Sequence, residues 1–159
     1  MVLQYFKKKE NEYKYKADII YIDILERTKL LINQGYLKEN DFDSSFEIIS
    51  IFLIFYFKYN NLKSKQKIND ELMSNFINDL DKSFREIGIG DMSIGKYVKK
   101  YVKKFYYRLK ILDTILNKND EKLLSDYLNN LNFVEKLNQH NFNGGILEIL
   151  REIKKKKSI

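Results

Sequence analysis

Residues 71–116 read ELMSNFINDLDKSFREIGIGDMSIGKYVKKYVKKFYYRLKILDTIL, and this stretch decides the fold. Apolar residues recur in it at helical spacing, and the periodicity is interrupted once, at Gly88-Ile89-Gly90-Asp91. Two amphipathic helices joined by so short a turn pack antiparallel, which places the charges around the turn on one compact corner. We therefore expect a helical hairpin here and look for function at its turn.

Both helices of the hairpin carry end signals beside the turn. Gly88 suits the left-handed position after the last helical turn, with Ile89 folding back on Phe84. Asp91 or Ser93 can cap the following helix. With Ser93 as the cap, a hydrophobic staple is predicted between Met92 and Tyr97.

The rest of the chain predicts about six helices in one domain, residues 1–159. The first helix covers 13–34 and ends at Gly35, which can adopt a left-handed conformation. A capping box of Ser44 and Glu47 opens the second helix, whose sides are nearly all apolar, so we expect it at the centre.

Further helices are predicted after the hairpin. Asn119 or Asp120 caps a fifth helix over 123–131, and a sixth follows Gly144-Gly145. Residues 132–143 carry no assignable pattern. Because the chain has no β-alternating run, we predict an all-α, single-domain bundle with 71–116 as its signature hairpin. Two tails are expected to fray, 1–12 and 154–159.

Composition limits the classes of function. The chain has no cysteine, which excludes disulfides, thiolate metal sites and a cysteine nucleophile. Its net charge of +7 suits an anionic partner, although lysines also serve as solvated helix faces. We expect no targeting segment at the N-terminus. The most apolar stretch, 46–57, is well short of the ~20 residues that span a bilayer.

Catalytic and metal sites are not supported by the sequence. The single histidine, His140, lacks a partner at metal-ligand spacing. Asp79 and Asp81 are two residues apart, so they diverge around a helix. Gly88-x-Gly90 follows a helix, whereas a dinucleotide loop follows a strand. We therefore expect no enzyme activity, no cofactor, no metal and no DNA partner.

The corner of the hairpin instead gathers charges of both signs. Arg85 is one of only four arginines in a chain that otherwise uses lysine, and a planar guanidinium suits bidentate or stacked recognition. Arg108 is a second such case. The other charged residues at the corner are Asp81, Glu86, Asp91, Lys96, Lys99 and Lys100.

The residues of this corner resemble the signature of the ubiquinol-cytochrome c chaperone family. The stretch DLDKSFREIGIGDMSIGK, 79–96, has the acidic-x-acidic helix end, the Arg-Glu pair and the Gly-hydrophobic-Gly-Asp turn, and Phe105-Tyr106-x-Arg108 follows. The resemblance is strong over 71–116 and weaker over 46–62. Tyr107 stands where we expect the family to favour Gly, and Phe52 where we expect His.

The resemblance implies an assembly factor for ubiquinol-cytochrome c reductase, which holds newly made cytochrome b until haem insertion and subunit assembly. Mitochondrial members of the family work with a small partner protein near the ribosomal exit tunnel. We expect a bacterial, cytoplasmic protein, peripheral at the inner face of the inner membrane. The implied partner-binding residues are Asp81, Arg85, Glu86, Gly88, Gly90, Asp91, Lys96, Lys99, Phe105, Tyr106 and Arg108.

Two other functions stay open from the sequence. A ribosome- or RNA-binding adaptor would use the basic face of the second hairpin helix, with its tyrosines as stacking platforms. A peripheral membrane module would be anchored by the basic tail 154–157. The face of that RNA-binding adaptor would comprise Lys96, Lys99, Lys103, Lys110, Tyr97, Tyr101 and Tyr107.

Overall fold

The computed structural model describes residues 2–60 and 62–156, most of which are helical. This part of the chain contains six α-helices and no strand, which confirms the all-α prediction. One short 3₁₀ helix, Lys136–Asn138, precedes the last α-helix. The α-helices are α1 (Val2–Asn33), α2 (Phe42–Tyr59), α3 (Lys65–Ile87), α4 (Asp91–Asn117), α5 (Glu121–Asn129) and α6 (Gln139–Lys155).

The first helix begins earlier than the sequence predicts. It starts at Val2, so the predicted start at residue 13 is wrong, and residues 2–12, expected to fray, form its first turns. Lysine and glutamate are good helix formers, and they extend the helix beyond its apolar stripe. Glu12 and Lys16 are one helical turn apart, and the ion pair between Lys16 Nζ and Glu12 Oε1, 3.0 Å long, stabilises this part of the helix.

The second helix is capped by Asp41 and not by Ser44, which corrects the predicted capping box. The Asp41 carboxylate accepts a hydrogen bond from the Ser44 backbone N–H at 2.8 Å. This backbone hydrogen bond lowers the pKa of Asp41. Ser44 itself is buried inside the first turn. The prediction that the helix is central is confirmed, because six consecutive residues, 51–56, are all buried.

The last helix contains the two glycines that were expected to precede it. α6 begins at Gln139, so Gly144 and Gly145 lie in its interior, and the predicted break there is wrong. The unassigned segment 132–143 holds an isolated antiparallel bridge, the 3₁₀ helix and the start of α6. The predicted tail 154–159 begins inside α6, and its last three residues lie outside the described part.

The chain divides into two compact units. The first comprises Met1–Asp23 and Leu62–Tyr107, and the second comprises Ile24–Asn61 and Arg108–Ile159. The prediction of one domain over 1–159 stays a prediction.

The first unit contains the hairpin of α3 and α4. The Phe76 and Phe105 rings lie 5.3 Å apart, and the Phe84 and Tyr101 rings lie 5.1 Å apart. Because the later residue of α3 meets the earlier residue of α4, the two helices run antiparallel, as predicted. The part of α1 that belongs to this unit packs on α3 through a hydrogen bond from Tyr21 to Asp79.

The second unit is built around α2. Phe52 and Phe55 are fully buried, and Phe142 and Ile146 of α6 are buried in the same unit. The bridge between Leu37 and Val134 joins the loops before α2 and after α5. These contacts give the second unit a core of its own.

Candidate functional site

The turn between α3 and α4 has the ending that the sequence predicts. Gly88 adopts a φ of 100°, in the left-handed region, and its N–H donates to the Arg85 carbonyl oxygen at 3.0 Å. The N–H of Ile89 donates to the Phe84 carbonyl oxygen, also at 3.0 Å. These two bonds define a Schellman motif, so the end of α3 is confirmed in detail.

The start of α4 differs from the prediction. The Gly90 carbonyl oxygen accepts hydrogen bonds from the N–H groups of Ser93 and Ile94, at 2.9 and 3.2 Å. Gly90 is therefore the cap residue, and the predicted caps at Asp91 and Ser93 are wrong. Met92 is fully exposed, which excludes the predicted staple. Because Gly90 occupies the cap position, the Asp91 carboxylate does not cap the helix and can bind another partner.

That partner is Arg85, which joins the two helix ends. Its Nε donates to Asp81 Oδ2 at 2.8 Å, and its Nη1 forms an ion pair with Asp91 Oδ1. Hydrogen bonds from the Arg85 guanidinium to Asp81 and then Asp91 raise its pKa above the ordinary value. The cation is thus held in one orientation between the last turn of α3 and the first residue of α4.

Exposed apolar groups lie next to this cation. Ile87 is 60% exposed, and the Arg85 side chain remains 51% exposed although both of its partners are bound. Glu86 is also exposed. A partner could therefore meet a fixed cation, three carboxylates and two apolar side chains on one small area. We call this set the turn surface: Asp81, Arg85, Glu86, Ile87, Asp91 and Met92.

The sequence interpretation missed the two apolar members of the turn surface. Ile87 and Met92 are absent from the predicted partner-binding residues, and Met92 was assigned to a staple. The last core residue of α3 is Phe84 and the first of α4 is Ile94, so both apolar side chains lie outside the core. The signal was available in the sequence. Beside so short a turn, a residue in the last turn of one helix or in the first turn of the next has little of the facing helix opposite it to cover it.

Two of the predicted contact residues below the turn have different environments. Phe105 is fully buried against Phe76, so it is a core residue and not a residue that contacts a partner. Tyr106 is 53% exposed and lies edge-on to Phe105, with ring centroids 5.6 Å apart. Tyr106 therefore remains available to a partner, whereas Phe105 positions it.

Arg108 belongs to the second unit and is engaged there. Its Nη1 donates to the Glu47 backbone carbonyl oxygen at 3.0 Å, and its Nε donates to the Tyr127 hydroxyl oxygen at 3.0 Å. The guanidinium also forms an ion pair with the Glu47 carboxylate. Its described contacts are thus with α2 and α5, while the other predicted contact residues lie in the first unit.

Lys96 and Lys99 begin a basic face on α4. Both are exposed, as are the lysines that follow at positions 100, 103 and 104. Lys104 Nζ lies 4.6 Å from the centroid of the Tyr101 ring, a cation–π contact. We call the exposed residues of this stretch the basic face of α4: Lys96, Lys99, Lys100, Lys103, Lys104, Tyr106 and Tyr107.

The acidic residues of α3 do not converge on one site. Asp79 accepts a hydrogen bond from the Tyr21 hydroxyl at 2.7 Å, whereas Asp81 pairs with Arg85. His140 is exposed at the start of α6. Within residues 2–60 and 62–156, no group of three or more histidine, aspartate or glutamate side chains is placed to hold a metal ion.

The comparisons with known proteins identify the family. The sequence profile described as "Ubiquinol-cytochrome C chaperone" matches residues 39–143, which is most of the chain and includes the whole hairpin. The chain belongs to the ubiquinol-cytochrome c chaperone family. Membership gives it a chaperone role for ubiquinol-cytochrome c reductase. The match extends beyond 71–116 at both ends.

A solved structure supports the fold over the whole length. The chain is similar to the crystal structure of the Cbp3 homolog from Brucella abortus, with a TM-score of 0.74 and 22% sequence identity. The similarity covers 99% of this chain and 91% of that one. No curated protein sequence matches the chain. Among its described helices, none has the length and apolar character needed to cross a membrane.

Proposed function

We propose that this chaperone binds newly made cytochrome b and holds it until haem is inserted and the other subunits join. The observation that carries the proposal is the orientation of Arg85, which two carboxylates fix at the tip of the hairpin. The Cys-free chain with no metal cluster among its described residues fits a binding role.

The fixed cation favours recognition of a polar loop. A free arginine side chain loses rotamer entropy when a partner binds it, at a cost of about 0.5–1.5 kcal/mol. Arg85 is already held by Asp81 and Asp91, so a client loop would meet a group that is ordered beforehand. Lys96 and Glu86, both exposed, add a charge of each sign beside it.

The apolar part of the turn surface favours a client of mixed character. Ile87 and Met92 are exposed at 60% and 102% on either side of the turn, and burying them against a partner releases water from both. Cytochrome b offers apolar segments joined by polar loops. A loop together with the end of an apolar segment would complement this surface in charge and in polarity.

Binding such a client would place the chaperone at the membrane into which cytochrome b is inserted. A peripheral position at the inner face of the bacterial inner membrane is part of the proposal. Contacts with the ribosome near the exit tunnel and with a small partner protein stay predictions from the family resemblance. The proposal requires no cofactor.

The test is affinity purification of the tagged protein from native cells after mild detergent treatment, with mass spectrometry scoring cytochrome b against ribosomal proteins. The variant R85A/K96A removes the fixed cation and its exposed neighbour. The matched control R151A/K118A removes an exposed arginine, paired with Glu121, and an exposed lysine in the second unit.

Cytochrome b recovered with the wild type and the control but not with R85A/K96A is the expected result. Circular dichroism of the purified variants verifies that all of them are folded. Equal recovery with R85A/K96A would refute a role for the turn surface. Ribosomal proteins recovered without cytochrome b, and released by salt, would refute the client.

A further inference from the structure

One helix of the first unit contains a long stretch without an acidic residue. Residues 92–107 of α4 read MSIGKYVKKYVKKFYY and contain lysines at 96, 99, 100, 103 and 104 but no aspartate or glutamate. All of these lysines are exposed. In the described part of the chain, no carboxylate pairs with Lys96, Lys99, Lys100 or Lys103. The stretch is about 24 Å long at the helical rise of about 1.5 Å per residue.

Several charged residues elsewhere on the surface are paired. Lys16 pairs with Glu12 on α1, Arg85 pairs with Asp81 on α3, and Arg151 of α6 pairs with Glu121 of α5. The basic face of α4 differs from these sites because residues 92–107 contain no acidic residue with which its lysines could pair along the helix. Unpaired like charges along one helix repel each other, so this arrangement costs stability unless an anionic partner covers it.

Large exposed apolar groups lie on the same side of α4, and one of them, Met92, also belongs to the turn surface. Met92 is fully exposed, Tyr107 is 71% exposed and Tyr106 is 53% exposed. Met92, Lys96, Lys99, Lys103 and Tyr107 follow one another at three- or four-residue spacing, so they share one side of the helix. Tyrosine is enriched where a bilayer meets water, and lysine can keep its charge among headgroups while its stem covers apolar surface.

The residue types favour lipid over nucleic acid. Arginine is the residue best suited to bidentate phosphate recognition and base stacking, but this stretch of α4 contains none. The positive charge of Arg85, at the nearest turn, is offset by the carboxylates of Asp81 and Asp91. A fully exposed methionine adds nothing to phosphate binding, whereas it gains from insertion among acyl chains.

From these observations we propose that the basic face of α4 rests on the surface of an anionic phospholipid bilayer. Met92 and Tyr107 enter the headgroup region, and the lysines bind lipid phosphates. This extends the proposed function, because a client emerging from the membrane would then meet the turn surface at the same end of α4. Lipid binding itself does not require the client, so the two proposals can fail separately.

The chain has no tryptophan, which allows a clean fluorescence test. Met92→Trp places a single reporter on the proposed contact surface, and Tyr15→Trp places one on an exposed position of α1 in the same unit. Each protein is titrated with vesicles of phosphatidylcholine alone, or of phosphatidylcholine and phosphatidylglycerol in equal parts, with and without brominated acyl chains.

The charge dependence is tested in the Met92→Trp protein with K99Q/K100Q/K103Q. Each lysine near an anionic surface contributes about fivefold to binding, so loss of three lowers the partition coefficient by on the order of a hundredfold. The control K38Q/K118Q/K136Q removes the same net charge from exposed lysines that are not part of the basic face of α4. It changes binding by about threefold or less, because salt screens the long-range effect of net charge.

The expected result, with anionic vesicles only, is a blue shift and bromine quenching of the Met92→Trp reporter but not of the Tyr15→Trp reporter. Equal binding to phosphatidylcholine alone, equal responses of both reporters, or unchanged binding of K99Q/K100Q/K103Q would overturn the proposal. Salt-sensitive binding of an RNA oligonucleotide, without any binding to vesicles, would also overturn it and assign the face to nucleic acid. Circular dichroism verifies that the glutamine variants remain helical.

Discussion

Arg108 contacts Glu47 through both the backbone and the side chain of that residue. One guanidinium nitrogen donates to the Glu47 carbonyl oxygen at 3.0 Å, and another pairs with the carboxylate. The Tyr127 hydroxyl accepts a third bond at 3.0 Å. Since the Arg108 side chain is only 12% exposed, its first role is to hold α2, α4 and α5 of the second unit together.

Replacing Arg108 with alanine is expected to lower the free energy of unfolding by about 3 kcal/mol, because a half-buried carboxylate loses its cation. Lysine in its place cannot satisfy three acceptors from one planar fork and restores only part of this loss. Urea unfolding followed by circular dichroism gives both values.

Arg151→Ala is the control for Arg108→Ala. Its ion pair with Glu121 is exposed on both sides, so we expect only a small change in stability. If Arg108→Ala proves as mild as this control, Arg108 is not a structural clamp and returns to the group of partner-binding candidates.

Gly88 gives a second prediction. Its φ of 100° is a conformation that residues with a side chain adopt at a cost of about 1–2 kcal/mol, so Gly88→Ala should destabilise the protein by that amount. Gly95 lies inside α4 with open space around the position of a Cβ, so Gly95→Ala should stabilise by about 0.5–1 kcal/mol. Thermal or urea unfolding measures both, and a shift of the same sign in both variants would contradict the assigned turn.

The hairpin could be predicted from the sequence because all of its signals are local. Phe84, Gly88 and Ile89 are close enough in the chain for a helix end to be read directly, and the structure has the same motif. The function of Arg108 could not be read in this way. Its hydrogen-bond acceptor on Glu47 is 61 residues away, and no pattern in the sequence links the two.

The start of α6 shows the opposite case, in which a local signal misled. Two consecutive glycines normally interrupt a helix, since each costs about 1 kcal/mol relative to alanine. Here a tertiary contact provides a reason for one of them. A Cβ atom on Gly145 would lie 3.1 Å from Leu31 Cδ1, so the glycine lets α1 and α6 approach closely within the second unit.

This difference between the two glycines gives a third prediction. Gly144 has open space around its Cβ position, so Gly144→Ala should stabilise the protein by about 0.5–1 kcal/mol through helix propensity. Gly145→Ala has the same propensity gain but must displace Leu31, so its stability should be clearly lower than that of Gly144→Ala. Urea midpoints compare the two, and equal gains would show that the helices tolerate a methyl group at their contact.

Tyr21 provides a prediction about alkaline pH. Its hydroxyl donates to Asp79 Oδ2 at 2.7 Å. Burial, followed by the negative charge of Asp79, raises the pKa of Tyr21 well above its usual range. The folded state therefore favours the neutral phenol, and the stability linked to it is complete below the unfolded-state pKa of about 10.

Tyr21→Phe isolates this contribution. At neutral pH we expect the variant to be less stable by about 1 kcal/mol, because the partly buried Asp79 loses a donor. As the pH rises above the unfolded-state pKa, Tyr21 can ionise on unfolding, so the wild type loses stability that the variant keeps. The difference in unfolding free energy between the two proteins therefore narrows as the pH approaches the folded-state pKa. Urea unfolding at neutral and increasingly alkaline pH measures the gap. A gap that stays constant throughout would mean that the Tyr21 phenol ionises equally in both states.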